Sequence, residues 1–197
     1  MYHWASHLRI ARIAVVSLVL SAGLAFAQTV VSFDRAGPKP GNEFVYDSGK
    51  GRTVKLTFKA PGQYAKADGS LVRKDRDGNT LQNGPRSFVP HSGYRPTGVS
   101  GNLKVGHTWV HQYESEGIVR TRKCNIESKK DVTTKAGTFP GAYKVVCESQ
   151  RHDRSLPRYE EIWFAENLDI EVKYSAKWYG SSPGSMGYEL SEVRLSP

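Results

Sequence analysis

The chain has 197 residues, with 28 lysines and arginines against 19 acidic residues, and its formal net charge at pH 7 is +9. A length of this order is typical of one domain with a single core. The positive excess suits a negatively charged partner, such as an anionic lipid surface, an acidic polysaccharide or nucleic acid. Basic residues that alternate along strands, as these do, are more typical of an ordinary solvated face than of a dedicated anion-binding patch.

The first 27 residues predict a secretory signal peptide. Arg9 and Arg12 precede an uncharged apolar run over 13–24, and an A-x-A cleavage site follows. The run is shorter than the roughly 20 residues that span a bilayer, and no later segment is apolar enough to cross one. We therefore predict a cleaved leader, 1–27, and a single β domain, 28–197. The net charge of that domain is +7, because the leader holds two arginines and no acidic residue.

Alternating apolar and polar residues predict short strands through the first half of the domain, at 43–48, 53–60, 70–75 and 79–82. The stretch 83–102 then contains three prolines and four glycines, so it cannot be a central strand. Long loops are often functional. We take three residues near the tip of this loop as candidate binding residues, with a plain connection as the alternative: His91, Tyr94 and Arg95.

A hairpin is predicted around the stretch KAGTFPGAYKVVC. If Cys124 faces Cys147, paired positions sum to 271, so the turn falls at 135–136. Gly137 follows at once and can adopt the positive φ of a short turn, and the Pro–Gly pair at 140–141 predicts a bulge. In an exported protein a structural disulfide between these two cysteines is the default. Without a C-x-x-C motif, a redox pair is not indicated.

Further strands are predicted on both sides of the hairpin, at 108–115, 118–127, 159–165, 170–179 and 187–195. Turn signals separate them, and no segment keeps a helical period over three turns. The sequence therefore predicts an all-β fold, a single antiparallel meander that forms a curved sheet, half-barrel or sandwich. One face would lie on a core and the other in solvent.

No residue set predicts catalysis or a metal site. There is no G-x-S-x-G motif, the disulfide would leave no free cysteine, and the adjacent Glu160 and Glu161 would face opposite sides of a strand. His107 and His111 would be about 13 Å apart on a strand, too far to share one ion, and no metal-ligand spacing occurs. We therefore predict no catalytic residue, no metal, no cofactor and a protein that is not an enzyme.

Three tryptophans in predicted strands are the remaining signal: Trp109, Trp163 and Trp178. Core packing of a β domain explains them. The alternative is an aromatic-lined groove for a lipid, glycan or peptide, and we take all three as candidate binding residues. Aromatic and basic residues together also occur where single-stranded nucleic acid binds, but export from the cell argues against a nucleic-acid partner.

Three short motifs carry a family resemblance: GHTW at 106–109, AGTF at 136–139 and IWFA at 162–165. Together they resemble a family of exported bacterial all-β proteins of unknown function, with a G-x-x-W strand entry, an A-G-T-F hairpin and a W-F-A strand. The resemblance covers about 101–180. It implies a half-open antiparallel sheet, the shape that some envelope lipid carriers use, and it brings no catalytic residue with it.

These observations favour a non-enzymatic β domain, periplasmic or secreted from a bacterium, with no membrane span after cleavage. It would bind a hydrophobic or anionic amphiphilic ligand, or an envelope partner, on the concave side of the sheet. The first alternative is a structural or stress protein that binds another protein through a sheet edge or the 83–102 loop. The second is a cell-wall-active hydrolase, which would hold two titratable groups together in a cleft.

Overall fold

The computed structural model describes residues 37–49, 51–74, 80–84, 86–87, 89–93, 104–153, 156–165, 171–180 and 183–196. The predicted signal peptide, 1–27, lies outside these residues and stays a prediction. None of the residues described belongs to a helix that is long and apolar enough to cross a membrane.

The described part of the chain is built from β-strands, as the period-2 alternation predicts. The strands are β1 (Glu43–Asp47), β2 (Thr53–Ala60), β3 (Gln63–Lys66), β4 (Leu71–Lys74), β5 (Thr80–Asn83), β6 (Arg86–Ser87), β7 (Val89–Gly93), β8 (Thr108–Ser115), β9 (Ile118–Thr134), β10 (Gly137–Arg151), β11 (Arg158–Phe164), β12 (Glu171–Trp178) and β13 (Gly184–Arg194). The all-β prediction is confirmed.

These strands form one antiparallel sheet in the order β6-β5-β4-β3-β2-β1-β13-β12-β11-β10-β9-β8-β7. The last strand, β13, returns to pair with the first, β1. The two edges, β6 and β7, are separated in the chain by position 88 alone. Because two peptide units span less than about 7.6 Å, the sheet must curve until these ends of its edges lie close together, as in the predicted half-barrel.

The 83–102 stretch is not a plain loop, and this corrects the sequence prediction. Residues 86–87 and 89–93 are the edge strands β6 and β7, which pair with β5 and β8 respectively. Pro90 is accommodated because an edge strand needs hydrogen bonds on one side only, and the β7 ladder shifts register between Pro90 and Ser92.

The long hairpin β9–β10 confirms the predicted register. Cys147 pairs with Cys124, Val145 with Ile126 and Gly137 with Thr134, so all three pairs sum to 271. Gly137 has a φ of 132° and begins the returning strand. The predicted bulge at 140–141 lies within the register shift between Phe139 and Ala142.

Two apolar clusters form the core. The larger joins strands β1 to β4 and β13 to the tip of the β9–β10 hairpin and includes Phe44, Tyr64 and Phe139, each at most 1% exposed. The smaller surrounds the disulfide and includes Ile126 and Ile162. Alternate residues at the end of β11 belong to different clusters, so both faces of the sheet are covered there.

The hairpin tip contacts the centre of the sheet. The Ala136 amide donates to the Leu190 carbonyl on β13 at 3.1 Å, and Lys135 forms an ion pair with Asp47 at the end of β1. This contact explains why the β9–β10 hairpin is the longest in the sheet, since it reaches across β11 and β12 to meet β13 and β1.

Candidate functional site

The register of β8 to β12 arranges one face of the sheet into three parallel rows of side chains. The apolar row is Ile126, Val145, Ile162, Tyr174 and Tyr188, which ends on β13. The disulfide row is Trp109, Cys124, Cys147, Glu160 and Ala176. The arginine row is His111, Arg122, Ser149, Arg158 and Trp178. Rows on one face are two residues apart, roughly 6.6 Å, and we call this surface the arginine face.

Two arginines on this face share one carboxylate. Arg122 donates to Glu160 from its Nη2 atom, and Nε of Arg158 lies 3.2 Å from the other oxygen of the same carboxylate. The Glu160 side chain is 8% exposed. Burial alone would lower the pKa of Arg122, but the Glu160 carboxylate, together with Tyr113 and Tyr174, outweighs burial and raises that pKa. Two guanidinium groups thus contact one carboxylate.

Aromatic rings surround Arg158. Its guanidinium carbon lies 5.7 Å from the Tyr174 ring centre and 5.9 Å from that of Trp178, within cation–π range. It also donates a hydrogen bond to the Tyr174 hydroxyl. Burial, and then the nearby Glu160 charge, raise the pKa of Tyr174, so this hydroxyl stays neutral.

The arginine row is only partly covered. The side chain of Arg158 is 37% exposed and that of Arg122 is 23% exposed, whereas Ile126 and Val145 in the apolar row are buried. Trp178 is half-buried. The arginine end of the face can therefore contact a ligand from solvent, while the aliphatic residues of the apolar row belong to the core.

The structure separates the predicted binding residues. Trp109 and Trp178 share the arginine face but lie four strands apart, about 19 Å at the usual spacing. Trp163 points to the opposite face, is buried, and donates to Glu161 at 2.9 Å. His91 lies in β7, beside β8, with its side chain outside the described part. Tyr94 and Arg95 lie outside the described residues.

Cys124 and Cys147 form a disulfide at the centre of the arginine face, with their Cα atoms 4.1 Å apart. Both are buried. Arg122 lies two positions before Cys124 on β9, and Arg158 lies two positions before Glu160 on β11. No sequence motif indicates either arginine. The signal that could have found Arg122 is its even spacing from Cys124 on one strand.

No group of three or more His, Cys, Asp or Glu side chains in the described ranges could hold a metal ion. The carboxylate of Glu160 is held by two arginines.

Two solved structures are similar to this chain over most of its length. One is a Bacteroides fragilis protein described as exported and as having a YmcC-like fold; it is 14% identical, has a TM-score of 0.41, and the match covers 80% of this chain and 97% of that chain. The other is a Parabacteroides distasonis protein described as a lipoprotein; it is 11% identical, has a TM-score of 0.44, and the match covers 81% and 98%. No protein-family model and no curated protein matches the chain. The family resemblance of the three motifs stays a prediction.

Proposed function

We propose that this protein is an exported, non-enzymatic β domain that binds an anionic amphiphile at the arginine end of the arginine face. The observation that carries the proposal is the sharing of one carboxylate, that of Glu160, by Arg122 and Arg158. A second anion, supplied by a ligand headgroup, would complete the pairing of the two guanidinium groups. Arginine suits this role because its planar fork of donors matches phosphate and carboxylate oxygens.

The rings beside Arg158 would contact the apolar part of the ligand. Trp178 is half-buried and Tyr174 partly exposed, and both flank the guanidinium. An anionic head on the arginines and a hydrocarbon portion on the rings would use the two kinds of surface at once. Export is supported by the leader-like N-terminus and by the disulfide, because disulfides persist in oxidising compartments.

The test is a titration of the purified mature domain with lysophosphatidylglycerol, followed by tryptophan fluorescence, beside lysophosphatidylcholine of the same chain length. We expect the anionic lipid to bind more tightly. Arg158→Gln should weaken its binding about tenfold, since a hydrogen bond to a charged group contributes roughly 1.5–3 kcal/mol and Arg158 is partly solvated. Arg194→Gln is the matched control, because Arg194 is exposed on β13 and, within the described ranges, pairs only with Glu43 and Glu192.

Equal affinity for the two lipids, or no effect of Arg158→Gln, would contradict the proposal. Native mass spectrometry of protein isolated from periplasm gives an independent check, since a bound amphiphile adds a mass that denaturation removes.

A protein partner is the second candidate, and the sheet edges favour it. The segment 86–93 supplies both β6 and β7, and an edge strand presents unpaired backbone groups to which another chain can add. In that case deletion of the arginine charge would leave binding unchanged, and a proline at an outward-facing backbone amide of β7 would abolish it.

A further inference from the structure

The face opposite the arginine face carries an open groove of about 970 Å³ that runs across β8 to β12. One wall is a row of Val110, Lys123, Glu148, Tyr159 and Lys177, which are successive cross-strand partners. The floor is the backbone of the disulfide row, and a second row that includes Asn125 forms the other wall. Four strand spacings give the groove a length of about 19 Å.

The groove carries no net charge, although the chain as a whole is basic. On this face two lysines and three glutamates line it, and a third lysine, Lys144, lies at its border. Lys144 pairs with two of these glutamates, at 2.7 Å from Glu127 and 2.9 Å from Glu161. The remaining three, Lys123, Glu148 and Lys177, are exposed. A groove of this composition does not select for a charged ligand, in contrast to the arginine row on the other face.

Four polar side chains in the groove make no contact that would occupy their donors or acceptors. Lys123, Asn125, Glu148 and Lys177 line it, and none of their side chains makes a hydrogen bond or ion pair with another described residue. They supply ammonium donors, a carboxylate acceptor and an amide that does both. A ligand rich in hydroxyl groups can use all of these, because a hydroxyl both donates and accepts.

Two tyrosine rings stand exposed along the same groove. Tyr159 is 48% exposed and Tyr179 is 60% exposed, and their ring centres are 6.2 Å apart. Large rings that a fold leaves in solvent beside unsatisfied polar groups are typical of a recognition surface.

We propose that this groove binds an extended, uncharged glycan strand. The rings would stack on sugar faces, and the polar walls would bind the hydroxyl groups. A peptide strand fits less well, because β8 to β12 are hydrogen-bonded to neighbours on both sides and leave no backbone groups to which a peptide could add. A groove that crosses five strands favours an extended chain over a coiled one.

The test is isothermal titration calorimetry of the mature domain with chitohexaose and cellohexaose. We expect binding of at least one of them, and Tyr159→Ala should weaken it about tenfold, because it removes a ring that would stack on a sugar face. Tyr159→Phe keeps the ring and should retain most of the affinity. Leu71→Ala, at an exposed apolar position on β4, and Arg158→Gln on the opposite face should leave it unchanged.

Absence of binding to both oligosaccharides by folded protein would overturn the proposal, as would an affinity that Tyr159→Ala does not alter. Binding only to a polyanion or only to peptides would overturn it too. Glycan binding and amphiphile binding can be tested independently, because each site has its own variant and its own probe.

Discussion

Removal of the disulfide should destabilise the protein strongly, and the structure sets the size of the effect. Cys124 and Cys147 are opposite each other in the longest hairpin, are 23 positions apart in the chain, and are buried. The perturbation is the double variant Cys124→Ala/Cys147→Ala, compared with the wild-type protein before and after reduction.

The chain-entropy model assigns about 3 kcal/mol to a loop of this length. The alanines also remove two buried sulfur atoms from the smaller apolar cluster, so the double variant should lose slightly more than the reduced protein. For a domain of this size 1 kcal/mol shifts Tm by about 2–4 °C. We therefore expect Tm to fall by about 10 °C in either case.

Thermal unfolding followed by far-ultraviolet circular dichroism measures this shift, and urea titrations supply the free energy of unfolding. The m value should stay close to that of the oxidised protein unless the unfolded chain expands on loss of the bond. A fall of less than about 3 °C would refute the reasoning, since an entropic term of 3 kcal/mol must appear in Tm. Two free thiols in protein isolated without reductant would show that the disulfide itself does not form.

Three further perturbations test individual contacts. Burial would raise the pKa of Glu171, but its ion pair with Lys74 lowers that pKa. The ion pair therefore stabilises the fold above the unfolded pKa near 4.5, and this stabilisation is lost as pH falls through the lower folded pKa. In urea titrations, Glu171→Gln should reduce the loss of stability at acid pH. Gly62→Ala should destabilise more than Gly49→Ala, because both have positive φ but only the added Cβ at Gly62 would meet a backbone oxygen, at 2.4 Å. Phe139→Ala should cost about 3–5 kcal/mol.

Each of these has an outcome that contradicts it. If the free energy of unfolding falls equally with decreasing pH in the wild type and in Glu171→Gln, the ion pair adds nothing to the stability of the fold. Equal stability of the two glycine variants would show that the backbone relaxes around position 62 at little cost. A loss below 1 kcal/mol at Phe139 would mean that the hairpin tip does not pack against the core as described.

The hairpin was predictable because two independent signals agree on its register. The cysteine pair sets one end and the turn at 135–136 sets the other, so the sum of 271 recurs at both. Between them Tyr143 pairs with Lys129, a sum larger by one. Two bulges cause this shift, and only the first, at the Pro–Gly pair, has a signal in the sequence.

Short and non-local elements were not predictable. Strand β3 has four residues with one buried side chain, too few for a period to show. Pairing of β1 with β13 joins segments about 150 positions apart, and no local pattern records it. Strand β7 was hidden because Pro90 indicates a loop unless the strand is known to lie at an edge.

The candidate sites depend on which residues share a face across several strands. Arg122 and Arg158 each resemble a solvated surface residue in sequence, and only the joint register of β9, β10 and β11 places both of them beside Glu160. The groove has the same origin, because Tyr159 and Lys123 become neighbours of Glu148 only after both pairings are known.

The pairing of the first and last strands has a mechanical consequence. Glu43 lies opposite Arg194 in an antiparallel pair, so both ends of the folded domain leave from the same end of the ladder. Tension applied between those ends would load the backbone hydrogen bonds of β1 and β13 one after another, as in a zipper. We expect a low unfolding force from this geometry. We expect a much higher force when the same domain is pulled parallel to β9 and β10, so that the hydrogen bonds between these two strands are loaded together.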